Sequence, residues 1–372
     1  MLRRTLAITR KEIIHVLRDP RSLGIMFLMP VIQLILLGYT ATTDVDHLPT
    51  AVLDQDRTSQ SRELVEAYGA SNYFDILFYV ATEEELGRLI DGGEAKAGIL
   101  IPVGYGRDLT ADNEASIAFI IDGSLPSVAS TAFSAAQTVA QAQSTALIER
   151  LYNIDVEAES GVDVRPRVWY NPDMKSANFM IPGLIAMILQ VQSTLLTALS
   201  IAQEKEEGTI EQLIVTPLRS MELIVGKVMP YVAVSLFNLI EVLIIGVVWF
   251  DVPVHGNVFL LLALGVLALL VSLGIGLVGS TVAHTQQEAI FLIFFLMLPF
   301  IFLSGFFFPV EAMPRVLQWI SYLIPLRYLL VITRGIILKG AGITILWEQA
   351  LALVLFAAAM LVLAGSRFRK QL

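Results

Sequence analysis

Six stretches of predominantly apolar residues, at roughly 22–42, 178–202, 223–250, 258–283, 289–308 and 345–365, most constrain what this chain can fold into. A helix needs about 20 such residues to cross a bilayer core, where every backbone polar group must be satisfied within the segment. The composition agrees, with 55% hydrophobic and 16% charged residues in 372, well below the roughly 25% charged of soluble domains. The expected fold is a polytopic α-helical membrane protein with six transmembrane helices.

An even number of spans puts both termini on one side of the membrane. Arg3, Arg4, Arg10, Lys11, Arg18 and Arg21 precede the first stretch, and Arg367, Arg369 and Lys370 follow the last. The excess of basic residues on cytoplasmic flanks predicts that both ends are cytoplasmic. The first stretch is about as long as a span requires, so it is expected to remain as an uncleaved helix rather than a signal peptide. Within residues 1–21, Leu2, Leu6, Ile13 and Leu17 recur beside the basic residues. That pattern predicts an amphipathic N-terminal interfacial helix, which Asp19-Pro20 ends.

The net charge of −9 conceals two unlike regions. Residues 43–176 hold 22 acids and 9 bases, the remainder 12 acids and 16 bases. An acidic extracytoplasmic α/β domain is therefore expected at 43–176, inserted after the first span (22–42) and followed by a five-helix region at 177–372. Within it, the segments around 51–53, 73–80, 97–101 and 117–121 alternate as strands do, with another strand expected at 164–170. Residues 59–68, 83–90 and 127–152 have helical patterns. No catalytic constellation emerges. Cysteine is absent and the four histidines, His15, His47, His255 and His284, are scattered, so no metal site is expected and no enzyme activity is assigned.

The most informative polar segment is Glu204–Pro217, EKEEGTIEQLIVTP, between the second and third apolar stretches. It is too polar to span a bilayer, and Ile210, Leu213 and Ile214 share one helical face while Glu207 and Glu211 share another. The expectation is a short cytoplasmic surface helix, either a plain connector or a docking element for a soluble partner.

Inside the spans, Gly274, Gly276 and Gly279 form a GxGxxG string, but it lies within the fourth span and not in a strand-to-helix turn. Ser272, Gly276 and Ser280 recur at four-residue spacing and make a small-residue stripe for close helix packing. Gln190, Asn238 and Glu241 are intramembrane polar residues, expensive to bury in lipid. They are candidates for a polar pathway or for a structural hydrogen-bond network. Residues 309–340 are apolar but broken by Pro and Gly, which predicts a re-entrant or interfacial segment on the outer face.

The 204–217 run resembles the cytoplasmic signature of type 2 ABC exporter permeases, E-x-E-x-G-T-x-E-x-L-x-x-T-P after the second span. Glu204, Glu206, Gly208, Thr209, Glu211, Leu213, Thr216 and Pro217 match, with Glu207 between them. The resemblance extends to the amphipathic first helix, the large domain after span one, and the series Gly305-Phe306-Phe307-Phe308-Pro309, Pro325-Leu326-Arg327-Tyr328 and Arg334-Gly335. It is closest to the drug-export branch with a large extracytoplasmic domain. It implies a bacterial inner-membrane transport subunit that pairs with a second permease copy or a paralogue. That subunit binds a cytoplasmic ABC ATPase through 204–217 and binds no cofactor itself, with ATP-Mg held in the partner; a periplasmic adaptor is a further candidate partner. Nucleic acid is not an expected partner. The implied activity is export of a drug-like, lipidic or other small substrate by alternating access. The rival readings are an ion-coupled secondary transporter using Glu241 and a membrane-anchored sensor whose outer domain binds a ligand.

Overall fold

The computed structural model describes residues 2–41, 47–111, 115–124, 126–152, 169–171, 175–208 and 220–371. The elements run α1 (Leu2–Arg18), α2 (Pro20–Ala41), β1 (Leu48–Asp54), α3 (Ser59–Gly69), β2 (Phe74–Tyr79), α4 (Glu83–Asp91), β3 (Ala97–Ile101), α5 (Tyr105–Thr110), β4 (Ala118–Ile121) and α6 (Pro126–Tyr152). After them come α7 (Ser176–Glu206), α8 (Ser220–Val248), α9 (Val258–Val282), α10 (Gln286–Leu303), α11 (Arg315–Ser321), α12 (Pro325–Lys339) and α13 (Ile343–Gln371). The chain divides into two compact units, residues 43–167 and the rest.

The inserted unit is built on a four-stranded sheet in the order β2-β1-β3-β4, with β1 parallel to β2 and β3, and β4 antiparallel to β3. Alternation along the strands supplies two buried faces. Val52, Ile99 and Ile101 pack with Leu64, Val65, Tyr68 and Ala132 on one side, and Ala51 and Leu53 pack with Leu86 and Ala95 on the other. Tyr68 ties α3 to α6 by donating its hydroxyl to the Ala136 carbonyl at 3.1 Å. Burial pushes that phenol up to about 12. Asp56 joins two loops, accepting from the backbone N–H of Gly104 (2.7 Å) and Gly106 (2.8 Å) and from the Thr58 hydroxyl (2.7 Å). The Thr58 bond, followed by the Gly106 N–H, holds its carboxyl below the ordinary carboxylate value. The four strands and three longer helices fall where the periodicity predicts. The one-turn-and-a-half α5 carries too little pattern to be read. The strand expected at 164–170 lies almost wholly outside the described residues.

Among the described residues of the other unit, six helices are long and apolar enough to cross a membrane: α2, α7, α8, α9, α10 and α13. The second of them, α7, is the most enclosed, with 78% of its most apolar window buried, against 17% for α10 and α13. Lipid offers no hydrophobic drive to bury bulky apolar side chains, so the helix with small and polar groups is the one surrounded by other helices. Gly183, Gln190, Gln192, Ser193, Thr194 and Thr197 all lie on α7, and the five polar ones are buried. The outward faces of α10 and α13 instead carry residues such as Phe294, Phe295, Val362 and Leu355.

The glycine string of α9 sits at the closest helix contacts. A Cβ on Gly276 would lie 2.3 Å from the Thr194 carbonyl oxygen, and one on Gly274 would lie 2.6 Å from Met360 Cβ. Thr194 also donates to the Ser272 carbonyl at 3.1 Å. Packing therefore accounts for these glycines.

Prolines explain two further interhelical bonds. A proline leaves the carbonyl four residues earlier without its intrahelical donor. Pro30 in α2 frees Met26, whose carbonyl accepts from Asn238 Nδ2 of α8 at 3.1 Å. Pro230 in α8 frees Gly226, whose carbonyl accepts from Thr9 Oγ1 of α1 at 3.1 Å. Asn238→Leu is expected to lower stability by about 1 kcal/mol, the scale of one interhelical hydrogen bond in a membrane protein. Adding Pro30→Ala, which restores the backbone donor, should recover most of the loss; thermal unfolding of the four proteins in a double-mutant cycle checks this.

Residues 309–340 form a bent pair. Helices α11 and α12 meet at 81°. Arg327 closes the bend by donating to Ser321 Oγ at 3.0 Å and stacking 4.1 Å from the Tyr322 ring centroid. Arg334 donates to the carbonyls of Gly305 (3.1 Å) and Phe306 (3.3 Å) and lies 3.7 Å from the Phe179 ring centroid. Gly305 has φ +91°, which lets the chain turn sharply into the arginine's reach. The two arginines and the glycine of the G-F-F-F-P and P-L-R-Y…R-G series are thus the fasteners of this segment.

Candidate coupling site

The first residues of the 204–217 run do not form a separate surface helix. Glu204, Lys205 and Glu206 are the last turn of α7, and the helix stops at Gly208, whose φ is +70°. A left-handed residue just past a helix end is the usual glycine stop. The apolar face of α7 runs through Ala202, and the three charged residues that follow each find a partner on another element, which keeps the turn helical. Thr209, Glu211, Leu213, Thr216 and Pro217 lie outside the described residues.

Lys205 and Glu206, adjacent in sequence, hold the two helix ends at the α9–α10 corner. Lys205 Nζ donates to the carbonyls of Ser280 (2.6 Å), Thr281 (3.1 Å) and Ala283 (3.0 Å) at the C-terminus of α9. Glu206 Oε2 accepts from the backbone N–H of Gln286 (3.1 Å) and from its Nε2 (3.3 Å) at the N-terminus of α10. The signs suit the helix dipoles, a cation at the carbonyl end and a carboxylate at the amide end. A capping box completes the corner: Glu288 N–H donates to Thr285 Oγ1 at 3.2 Å, and His284 N–H donates to Glu288 Oε2 at 2.7 Å.

Glu204 faces the opposite way. It pairs with Lys227 of α8, and Lys11 of α1 lies 3.5 Å from its other oxygen. The Lys227 side chain is 5% exposed and that of Glu204 12%. Beside them Glu12 is buried and lies 3.7 Å from Lys11. Glu207 is exposed and, among the described residues, accepts a bond along its own helix, from Gln203 Nε2 at 2.9 Å. The end of α7 is thereby connected to α1, α8, α9 and α10.

In the sequence the acids read as one set, and their partners within the chain do not show. Lys205, Lys227, Glu12 and Gln286 carry no sign in the sequence that they meet. A lysine inside an acidic run was the one available signal for Lys205.

The intramembrane candidates do not converge. Asn238, Gln192 and Ser193 line one narrow cleft with Pro30, Ile188, Leu189 and Val242. Neither Gln190 nor Glu241 lines it. Among the described residues, Gln190 Nε2, Glu241 Oε2 and Asn238 Oδ1 are buried with no hydrogen-bond partner, while Asn238 Nδ2 donates to the Met26 carbonyl.

Comparison with known proteins agrees with this architecture. The model of the ABC-2 family transporter protein matches residues 20–365. The chain is 31% identical over 371 residues to the probable multidrug ABC transporter permease YbhR of Escherichia coli, covering 100% of both. It is 29% identical to the probable multidrug ABC transporter permease YbhS of that organism, covering 100% of this chain and 98% of the relative. The inner membrane transport permease YhhJ, also from E. coli, is 28% identical over 87% of this chain and 85% of its own length. The chain belongs to the ABC-2 transporter family, and is a multi-pass membrane permease of that family.

Proposed function

We propose that this chain is the permease subunit of an ABC exporter, driven by a separate cytoplasmic ATPase that grips the segment beginning at Gly208. The supporting observation is the bracing of the α7 end, where consecutive residues reach α8, α9 and α10. A force applied just past Gly208 would move several helices together and would not be absorbed by a slack loop. The sequence contains no G-x-x-x-x-G-K-[ST] phosphate loop, so this reading assigns ATP-Mg to the partner chain.

In this mechanism ATP binding and hydrolysis change the partner's shape, and the partner must bind the permease's two states with different affinity for the cycle to be driven. Glu207, Thr209, Glu211, Leu213, Thr216 and Pro217 make the contact, while Glu204 and Glu206 transmit it through bonds within the chain. A second permease copy or a paralogue completes the pathway, with Gln190 and Glu241 as its polar candidates. Both termini lie in the cytoplasm and residues 43–176 outside it. The names of YbhR and YbhS favour a drug-like substrate; lipidic or other small molecules fit the same frame.

Co-purification with the ATPase followed by an ATP hydrolysis assay tests this. Glu207→Arg/Glu211→Arg reverses two charges of the run and leaves in place Glu204, Lys205 and Glu206, which bond within the chain. Association should weaken about tenfold or more while thermal stability is unchanged. Association and transport at wild-type levels in that variant, or no ATPase partner at all, would sink the reading.

A further inference from the structure

Helix α1 is turned the opposite way from an ordinary amphipathic helix on a protein surface. Its packed side is Thr5, Ile8, Thr9, Glu12 and Val16, of which Glu12 is 3% and Val16 7% exposed. That side lies against α8, where Gly226 permits close approach; a Cβ there would be 2.8 Å from Ile8 Cβ. The apolar stripe faces away, with Leu6 59%, Ile13 42% and Leu17 63% exposed. At 3.6 residues per turn these three share one face of the helix. Arg3, Arg10 and Arg18 lie along the next edge and are also exposed.

We propose that this face of α1 binds anionic phospholipid of the adjoining leaflet, its stripe entering the acyl boundary while Arg3, Arg10 and Arg18 hold headgroup phosphates. Two observations select that occupant. The helix leads through Asp19 directly into α2, a candidate span, so the stripe sits beside the point where the chain enters the bilayer. An apolar stripe bordered by cations is the pattern that combines acyl burial with phosphate attraction. The consequence reaches the coupling site, because Lys11, on the same helix, lies against Glu204. Anionic lipid would steady α1 and with it the end of α7. The inference extends the proposed transport role but is tested without the ATPase.

The chain has no cysteine, so Leu17→Cys or Leu6→Cys in the full-length protein takes a single fluorescent label. Labelled protein in nanodiscs of phosphatidylcholine mixed with phosphatidylglycerol is quenched by bromine carried on one lipid or the other. Bromine on phosphatidylglycerol should quench more strongly than the same fraction on phosphatidylcholine. Each basic residue near an anionic surface strengthens binding roughly fivefold, so Arg3→Gln/Arg10→Gln/Arg18→Gln should abolish the preference. Those exposed arginines are not part of the packed side, so the fold should survive, and retained label mobility checks it. Equal quenching by both lipids would overturn the anionic assignment. Labels that neither lipid reaches, shielded by a second copy of the chain, would overturn lipid binding altogether.

Discussion

Lys227→Met is expected to lower stability on the order of 3 kcal/mol, the scale for stranding one member of a buried ion pair. The Lys227 ammonium is almost wholly enclosed, and its partner Glu204 has only a narrow outlet to solvent. Removing the lysine leaves a carboxylate beside α8 that has lost its enclosed ammonium partner, with the more exposed Lys11 at 3.5 Å from its other oxygen. Glu204→Met strands the lysine instead and should cost as much. The double variant is the informative one. With both charges replaced by flexible apolar chains, most of the loss should return, because a well-packed apolar pair can match a buried ion pair. Thermal unfolding of the four proteins measures the coupling. Additive losses would show that the pair does not join α7 to α8. The same pair makes a functional forecast: Lys227→Met should uncouple ATP hydrolysis from transport more than it weakens ATPase association, since Lys227 lies within the permease and not on the segment proposed to meet the ATPase.

Gly276→Val should be more damaging still. The first added carbon alone would lie 2.3 Å from the Thr194 backbone oxygen of α7, 3.0 Å from Thr197 Cβ and 3.2 Å from the Ala198 nitrogen. A flexible side chain could yield, but a helix backbone cannot, so α9 and α7 must separate along their contact. Overpacking typically costs about 1–3 kcal/mol, and the backbone obstacle puts this case at the top of that range or above. Gly24→Ala in α2 is the control, because nothing lies within 4 Å of its added carbon. It should be neutral or slightly stabilising through helix propensity. Detergent-solubilised yield and unfolding temperature separate the two; equal behaviour would mean that the α7–α9 contact is not as close as described.

The spans were legible because a bilayer imposes a length and a polarity that single segments must meet unaided. The strands of the inserted unit were legible because a period of two shows within five residues. The role of the glycine string could be read too, since GxGxxG inside a span admits little besides packing. Asn238 was harder. A buried asparagine suggests a pathway, and only the position of Pro30 on a neighbouring helix shows that its amide serves a carbonyl the proline had released. Glu206 posed the same difficulty, looking like one more acid in an exposed run until Gln286 and the α10 terminus were placed beside it.

What the sequence determined by itself was therefore local: which segments are apolar enough to cross a membrane, where a helix must break, and which 14-residue run is too polar to enter lipid. Tertiary structure alone decided the partners. It placed Lys205 on the carbonyl end of α9, Glu206 on the amide end of α10 and Glu204 on Lys227. The physical reason is that a hydrogen bond or ion pair depends on distances of a few ångströms between residues as many as 217 positions apart, and hydropathy and periodicity hold no record of such distances.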